Sequence, residues 1–154
     1  STLTVPITVK VADDGSGSQN VYFMLNGTDS GAGTKTPALD VQLGFKYKFD
    51  ISDNSNTGHP IKFSTTKDGT HNSGSAFTTN ITESGTAGSA NAYVEIEITP
   101  ETVGTAIATG ATVGKLYYYC PNHSGMGAEG NLSLYPNTSA DSGGVSLGLV
   151  VALS

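Results

Sequence analysis

The chain has little positive charge and lacks long apolar runs. Seven lysine and arginine residues stand against 13 aspartate and glutamate residues in 154, which gives a formal net charge of −6. The basic residues form no cluster, so nothing in the sequence is suited to holding phosphates, and we expect no nucleic-acid partner. No stretch approaches the roughly 20 apolar residues needed to cross a bilayer, and the chain does not open with a charged-then-apolar leader. We therefore expect a soluble polypeptide without a membrane span.

Small and polar residues, in contrast, are abundant. The chain contains 20 glycines, only 13% of its residues are charged, and its apolar residues come in short runs separated by Gly, Asn, Asp and Ser. This composition is typical of a many-stranded β protein with generous loops. A length of 154 residues suits one domain with a real core. The sequence thus predicts a single all-β domain over residues 1–154.

Alternation of apolar and polar residues predicts most of the strands. The cleanest alternation runs over 41–51. The first one, over 3–11, contains Pro6 at a non-apolar position and predicts an edge strand with one buried face. Further strands are expected at 21–25, 59–63, 93–98, 116–120, 132–134 and 145–153.

Two stretches predict long loop insertions. Residues 64–92 are almost wholly Gly, Ser, Thr and Asn, which indicates a long excursion that could contain a short strand. His71 lies in this excursion, where we expect a solvated histidine without a role. Residues 102–114 are small and predict a linker-like loop.

Residues 120–126 carry an unusual set of side chains. Cys120, His123 and Met126 place a thiol, an imidazole and a thioether at spacings of three and three, which β-sheet packing does not require. Cys120 shares the core-facing parity of its strand. His59 has the same parity as two core residues that follow it, so it can supply a fourth ligand from elsewhere in the chain.

Two imidazoles, a thiolate and a weak axial thioether suit a copper ion that cycles between Cu(I) and Cu(II), because the set compromises between the geometries that the two states prefer. We therefore expect one copper ion. Zinc is a weaker alternative, since a thioether is a poor zinc ligand. A thiol nucleophile is another, but a catalytic Cys–His pair needs an exposed thiolate and an orienting group, and gives Met126 no role. Taken singly, each side chain would be an ordinary buried or solvated residue.

At these residues the sequence resembles the cupredoxins, the blue type 1 copper proteins. The Cys-x2-His-x2-Met loop is similar to the ligand loops of amicyanin and plastocyanin, and an aromatic strand leading into the Cys is typical of the family. The resemblance covers mainly 45–63 and 116–134. It implies a Greek-key β-sandwich or barrel that passes one electron to a redox partner protein and is not an enzyme.

The resemblance also implies a role for each site residue. His59 and His123 would be imidazole ligands, Cys120 the equatorial thiolate and Met126 the axial ligand, while the Gly58 backbone carbonyl would lie near the opposite axial position. Many family members have Asn after the first His to tie its loop to the Cys loop, whereas Pro60 follows here, and the chain between His59 and Cys120 is longer than in the small members. A dinuclear centre would need a second cysteine, and a multicopper enzyme more than three histidines.

The tyrosines before Cys120 allow two interpretations. Packing is favoured for Tyr118, whereas Tyr117 and Tyr119 could pack, carry electrons or form a docking surface.

A structural role is the alternative function. The Gly-His-Pro-Ile and Tyr-Tyr-Cys-x-x-His-Ser-Gly-Met-Gly patterns also resemble cupredoxin-like domains of surface and virion proteins from marine microbes and phages, which would make the chain a decoration module. The apolar strand over 145–153 could then pair with other chains of an assembly. The compartment stays open: periplasmic or extracellular for a processed form, the virion for a decoration protein.

Overall fold

The strands predicted by alternation are largely present in the computed structural model, which describes residues 2–26, 33–111 and 114–134. Within these ranges the chain forms ten strands, one α-helix and two short 3-10 turns, at 54–56 and 69–72. The elements are β1 (Leu3–Asp13), β2 (Asn20–Asn26), β3 (Thr34–Lys35), β4 (Ala38–Asp40), β5 (Phe45–Asp50), β6 (Lys62–Ser64), β7 (Ile81–Ser84), β8 (Tyr93–Glu97), α1 (Pro100–Ala108), β9 (Lys115–Tyr119) and β10 (Asn131–Ser133).

The strands form two mixed sheets. One has six strands in the order β3-β2-β1-β5-β8-β7, and the other has four in the order β4-β10-β9-β6. The β1–β5 and β4–β10 pairs are parallel, and the other pairs are antiparallel. Apolar side chains from both sheets form one core, in which the rings of Phe49 and Phe63 lie 5.4 Å apart. The predicted mostly-β, sandwich-like arrangement is confirmed.

The sequence predicts an edge strand over 3–11, and this prediction is wrong. β1 lies inside the six-stranded sheet, with β2 on one side and β5 on the other. Pro6 is tolerated because it pairs only with Lys48 of β5, while the pairing of β1 with β2 begins at Ile7. Proline, which lacks an N–H, therefore occupies a stretch of β1 that makes no β2 ladder.

The strand expected over 41–51 is shorter than predicted. β5 begins only at Phe45, because Gly44 has a φ of +93° that interrupts the extended backbone. Val41 is fully buried, but Leu43, which the alternation predicts to face the core, is 49% exposed, so the pattern breaks before β5 and resumes within it. Alternation reports which side chains face the core only while the backbone is extended, and the turn at Gly44 ends that relation.

The linker-like loop expected over 102–114 is wrong for its first half, which forms α1. Thr99 caps this helix: its hydroxyl accepts from the Thr102 N–H at 3.1 Å, and the Thr102 hydroxyl accepts from the Thr99 N–H at 3.1 Å. Pro100 occupies the first turn, where its missing N–H costs nothing. Only Thr102 and Ala106 are buried, so the helix has no apolar periodicity to reveal it.

The excursion over 64–92 contains the expected short strand. This is β7, which pairs with β8 at the edge of the six-stranded sheet. Lys62 of β6 forms an ion pair with Glu83 of β7 at 2.6 Å, so the excursion also connects the edges of the two sheets. The strand predicted over 145–153 lies outside the described residues. Among the described helices none is long and apolar enough to cross a bilayer.

Candidate metal centre

The ligand loop begins where β9 ends. β9 extends to Tyr119, and Cys120 next to it is fully buried. The chain then turns back on itself, with a bridge between Cys120 and His123 and a φ of +79° at Gly125. Met126 returns to the six-stranded sheet, where its carbonyl accepts from the Tyr22 N–H of β2 at 3.1 Å. The loop thus joins the two sheets at one end of the molecule.

His59 is held differently from the prediction. It was expected in a strand over 59–63, but β6 covers only Lys62–Ser64, and His59 follows the 3-10 turn at 54–56. Its N–H donates to the Asn56 carbonyl at 2.7 Å. Asn56 is itself buried and donates through its amide to the Val9 carbonyl of β1 at 2.8 Å. His59 is therefore positioned by a turn attached to the central strand of the larger sheet.

Three of the predicted ligands converge. The Cys120 Sγ atom lies 3.9 Å from His59 Nδ1 and 3.7 Å from His123 Nδ1. The donor atoms of all three side chains lie within 4.8 Å of one another, and the two imidazole rings are 4.6 Å apart between centroids. Residues distant in the sequence therefore present two nitrogens and one sulfur to a common point.

These separations fit a single bound ion. An ion bonded to nitrogen at about 2.0–2.1 Å and to sulfur at about 2.3 Å, with bonds roughly 120° apart, separates the two donor atoms by about 3.8 Å. The observed sulfur–nitrogen distances of 3.7 and 3.9 Å bracket that value. A His-Cys-His group of this size can hold a metal ion.

Exposure differs across the site. Cys120 and Met126 are fully buried, His59 is half-buried and His123 is exposed. Met126 lines the same open cleft as the two histidines, and the rest of that cleft is made of uncharged polar residues. These are Ser18, Gln19, Asn20, Thr57 and Ser124. Met126, the predicted axial ligand, thus shares a cleft with the two histidines, and its side chain is buried.

Electrostatics favour the neutral form of His59. Burial, and then the nearby His123, lower the pKa of His59 below its usual value. A metal ligand must present an unprotonated nitrogen, so this shift removes part of the competition from protons. Burial, and then the Cys120 thiol, raise the pKa of Tyr22 well above its usual range. Tyr22 therefore keeps its hydroxyl proton and acts as a hydrogen-bond donor beside the site.

Two side chains, those of Asn122 and Tyr22, connect the His59 loop to its surroundings. The Asn122 side chain donates to the Gly58 carbonyl at 3.0 Å, which ties the ligand loop to the His59 loop. The Tyr22 hydroxyl donates to the Pro60 carbonyl at 2.8 Å and to the His59 carbonyl at 3.2 Å. The role of the Gly58 carbonyl as a weak axial ligand stays a prediction.

The sequence did not predict the contacts of His71 with Cys120 and Tyr119. Its ring is exposed, as expected, but Nε2 hydrogen-bonds to the Cys120 carbonyl at 2.8 Å and the ring meets Tyr119 edge-on at 6.4 Å. Tyr119 is fully buried, and Tyr118 is buried with its hydroxyl donating to the Pro37 carbonyl at 2.6 Å. Packing is therefore the observed role of both tyrosines.

No protein-family model, curated protein or solved structure matches this chain.

Proposed function

We propose that the chain is a cupredoxin-like domain that binds one type 1 copper ion and passes one electron. The observation that carries the proposal is the convergence of His59, Cys120 and His123, with Met126 lining the same cleft. Two imidazoles and one thiolate near a thioether are the donor set of blue copper sites. The Greek-key connection of the strands is part of this proposal.

Each residue has a distinct task. Cys120 supplies the thiolate from a position closed to water, which protects it from oxidation and strengthens its bond to a cation. His59 supplies a nitrogen held neutral by burial. His123 supplies the second nitrogen, and its exposed ring is where the site reaches the surface. Copper bound here would accept and donate the single electron.

The choice of copper over zinc depends on Met126. Structural zinc sites close their shell with thiolates and imidazoles, and a catalytic zinc site keeps a position open for water. Here the nearby fourth side chain is a buried thioether, which is a soft ligand suited to copper. A redox partner would meet an uncharged polar rim around His123, so recognition by shape is expected rather than electrostatic steering.

The alternative is a structural module with a cupredoxin-like fold, such as a virion decoration protein. Its main support in the sequence is the apolar alternation over 145–153, which lies outside the described residues. No contact within the described ranges favours it, and it becomes the better account only if the folded protein fails to bind copper through Cys120.

Titration of the metal-free protein with Cu(II), followed by visible absorption, tests the proposal. The wild type should develop an intense thiolate-to-copper band that saturates at one ion per chain, and folded Cys120→Ser should not. His123→Gly, which removes an exposed side chain, should weaken the band, and added imidazole should restore it. A folded wild type without the band, or an equal band in Cys120→Ser, would contradict the proposal.

A further inference from the structure

The first part of the excursion forms a closed loop over 64–75. The Ser64 hydroxyl is buried at the base of this loop, donates to the Ser75 carbonyl at 2.7 Å and accepts from the Thr66 N–H at 3.0 Å. Further along, the Gly74 N–H donates to the Gly69 carbonyl at 2.9 Å. These internal bonds give the loop a fixed shape although it has few apolar anchors.

Two side chains of this loop reach the backbone of the ligand loop over 120–126. His71 Nε2 donates to the Cys120 carbonyl at 2.8 Å, and Asp68 Oδ1 accepts from the Gly125 N–H at 2.9 Å. The first contact is at the thiolate residue, and the second is next to Met126. A carbonyl can only accept, so the His71 ring must carry its proton on Nε2. The ligand loop is therefore held near both of its ends.

The same loop also approaches the strand that leads into Cys120. A Cβ atom at Gly69 would lie 2.4 Å from atoms of the Tyr119 ring, so the backbone of the loop rests directly on that ring. Asp68 has a φ of +61°, a left-handed conformation that Asp, Asn and Gly accept most readily. Gly69 therefore allows the loop to contact Tyr119, and Asp68 accepts the backbone conformation that the loop needs there.

We propose that residues 67–72 are a clamp that holds the ligand loop in its binding geometry before metal arrives, with Asp68 and His71 as positioning residues. A short ligand loop with an exposed histidine loses conformational freedom when it binds an ion, and this lost freedom weakens binding. The clamp removes part of that freedom in advance. The clamp would explain why the chain makes the long excursion over 64–92. Only the measurement of copper release rests on the proposed copper function.

Four variants test the clamp. Asp68→Gly keeps the left-handed backbone and removes the acceptor, whereas Asp68→Asn keeps both. His71→Phe keeps an aromatic ring against Tyr119 and removes the donor. Glu129→Gln is the matched control, because the Lys67–Glu129 ion pair joins the same loop to the chain just after the ligand loop, through an acidic side chain that is 81% exposed.

The first measurements use metal-free protein. Amide hydrogen exchange at Gly125 should accelerate at least about tenfold in Asp68→Gly and stay within about twofold in Asp68→Asn and Glu129→Gln. The reaction of Cys120 with a thiol reagent should accelerate by about the same factor in His71→Phe, because opening of the ligand loop limits access to a buried sulfur. Wild-type rates in both folded clamp variants would overturn the proposal.

Dissociation of copper into a chelator supplies the metal readout. Asp68→Gly and His71→Phe should release copper at least about tenfold faster than the wild type, since outer contacts of metal ligands typically change affinity by about 10–100-fold. Accelerated exchange and thiol reaction in protein that shows no thiolate-to-copper band would leave the clamp standing and refute the proposed copper function.

Discussion

Removal of a single tyrosine hydroxyl should affect copper binding at Tyr22, beside the candidate metal centre, but not at the neighbouring Tyr118. Tyr22 and Tyr118 are both buried, their rings meet edge-on at 6.2 Å, and each donates its hydroxyl proton to backbone carbonyls. The Tyr22 acceptors are the carbonyls of His59 and Pro60, whereas Tyr118 donates to Pro37, away from the site. Tyr22→Phe and Tyr118→Phe are therefore matched changes with different expected consequences.

The two variants should lose similar amounts of stability. Phenylalanine fills the same space, so no cavity opens, and the cost is a carbonyl left without its donor. Such a loss is about 1–2 kcal/mol, which corresponds to a decrease in Tm of roughly 2–8 °C for a chain of this size. Metal affinity should differ between them. Tyr22→Phe frees the loop that carries His59 and should weaken copper binding by about 10–100-fold, whereas Tyr118→Phe should leave it within about threefold.

Thermal unfolding of the metal-free variants measures the first effect, and competition for copper with a chelator measures the second. The Tyr118→Phe variant reports the effect of a buried hydroxyl alone, so the difference between the variants isolates the His59 loop. Equal losses of copper affinity in Tyr22→Phe and Tyr118→Phe would refute the positional argument, as would an unchanged affinity in Tyr22→Phe.

Three further predictions concern stability and can be checked by urea unfolding of metal-free protein. Gly127→Ala should lower the free energy of unfolding by about 1–3 kcal/mol, because the new Cβ atom would collide with the Tyr118 carbonyl oxygen. An unfolding midpoint equal to that of the wild type would contradict this close approach. Gly104→Ala, in an exposed position of α1 with open space around the new methyl, should stabilise by about 0.5–1 kcal/mol, and a loss would contradict the helix. The lowered pKa of His59 means that the unfolded chain takes up a proton at higher pH than the folded chain. Stability from this group is therefore complete above about pH 6.5 and lost as pH falls towards the folded-state pKa. The midpoint should decrease between about pH 7.5 and about pH 5.5, and by less in His59→Asn; an equal decrease in both would exclude His59 as the cause.

Burial was the best-predicted feature of the fold. Alternation identified core residues in strands such as β5 and β8, because a side chain's face follows directly from the two-residue period of an extended chain. The order of the strands within each sheet could not be predicted from alternation. Pro6 indicated an edge, yet β1 is central, since the sequence around a proline does not record where a neighbouring ladder begins. The α1 helix was missed because its buried face consists of only Thr102 and Ala106.

The candidate site was predictable where chemistry leaves a sequence signal. Cys120 and His123 stand three residues apart in a turn, so their proximity followed from a local pattern. His59 was identified by its parity with core residues, but the turn at 54–56 brings it to the site, not the predicted strand. The surrounding contacts have no such signal. Tyr22 resembles any core aromatic, and His71 lies in a polar stretch whose shape is set by hydrogen bonds at its base. Those contacts depend on tertiary structure and could not be read from the sequence.

A spectroelectrochemical titration of the copper-loaded protein tests the central claim most directly. It follows the thiolate-to-copper band while the applied potential is stepped down and then up. The proposed site predicts that the band disappears and returns without hysteresis, with a one-electron slope of about 59 mV per tenfold change in the ratio of oxidised to reduced protein. Copper that binds without this band, or a band that is lost irreversibly on reduction, would contradict an electron-transfer centre at His59, Cys120 and His123.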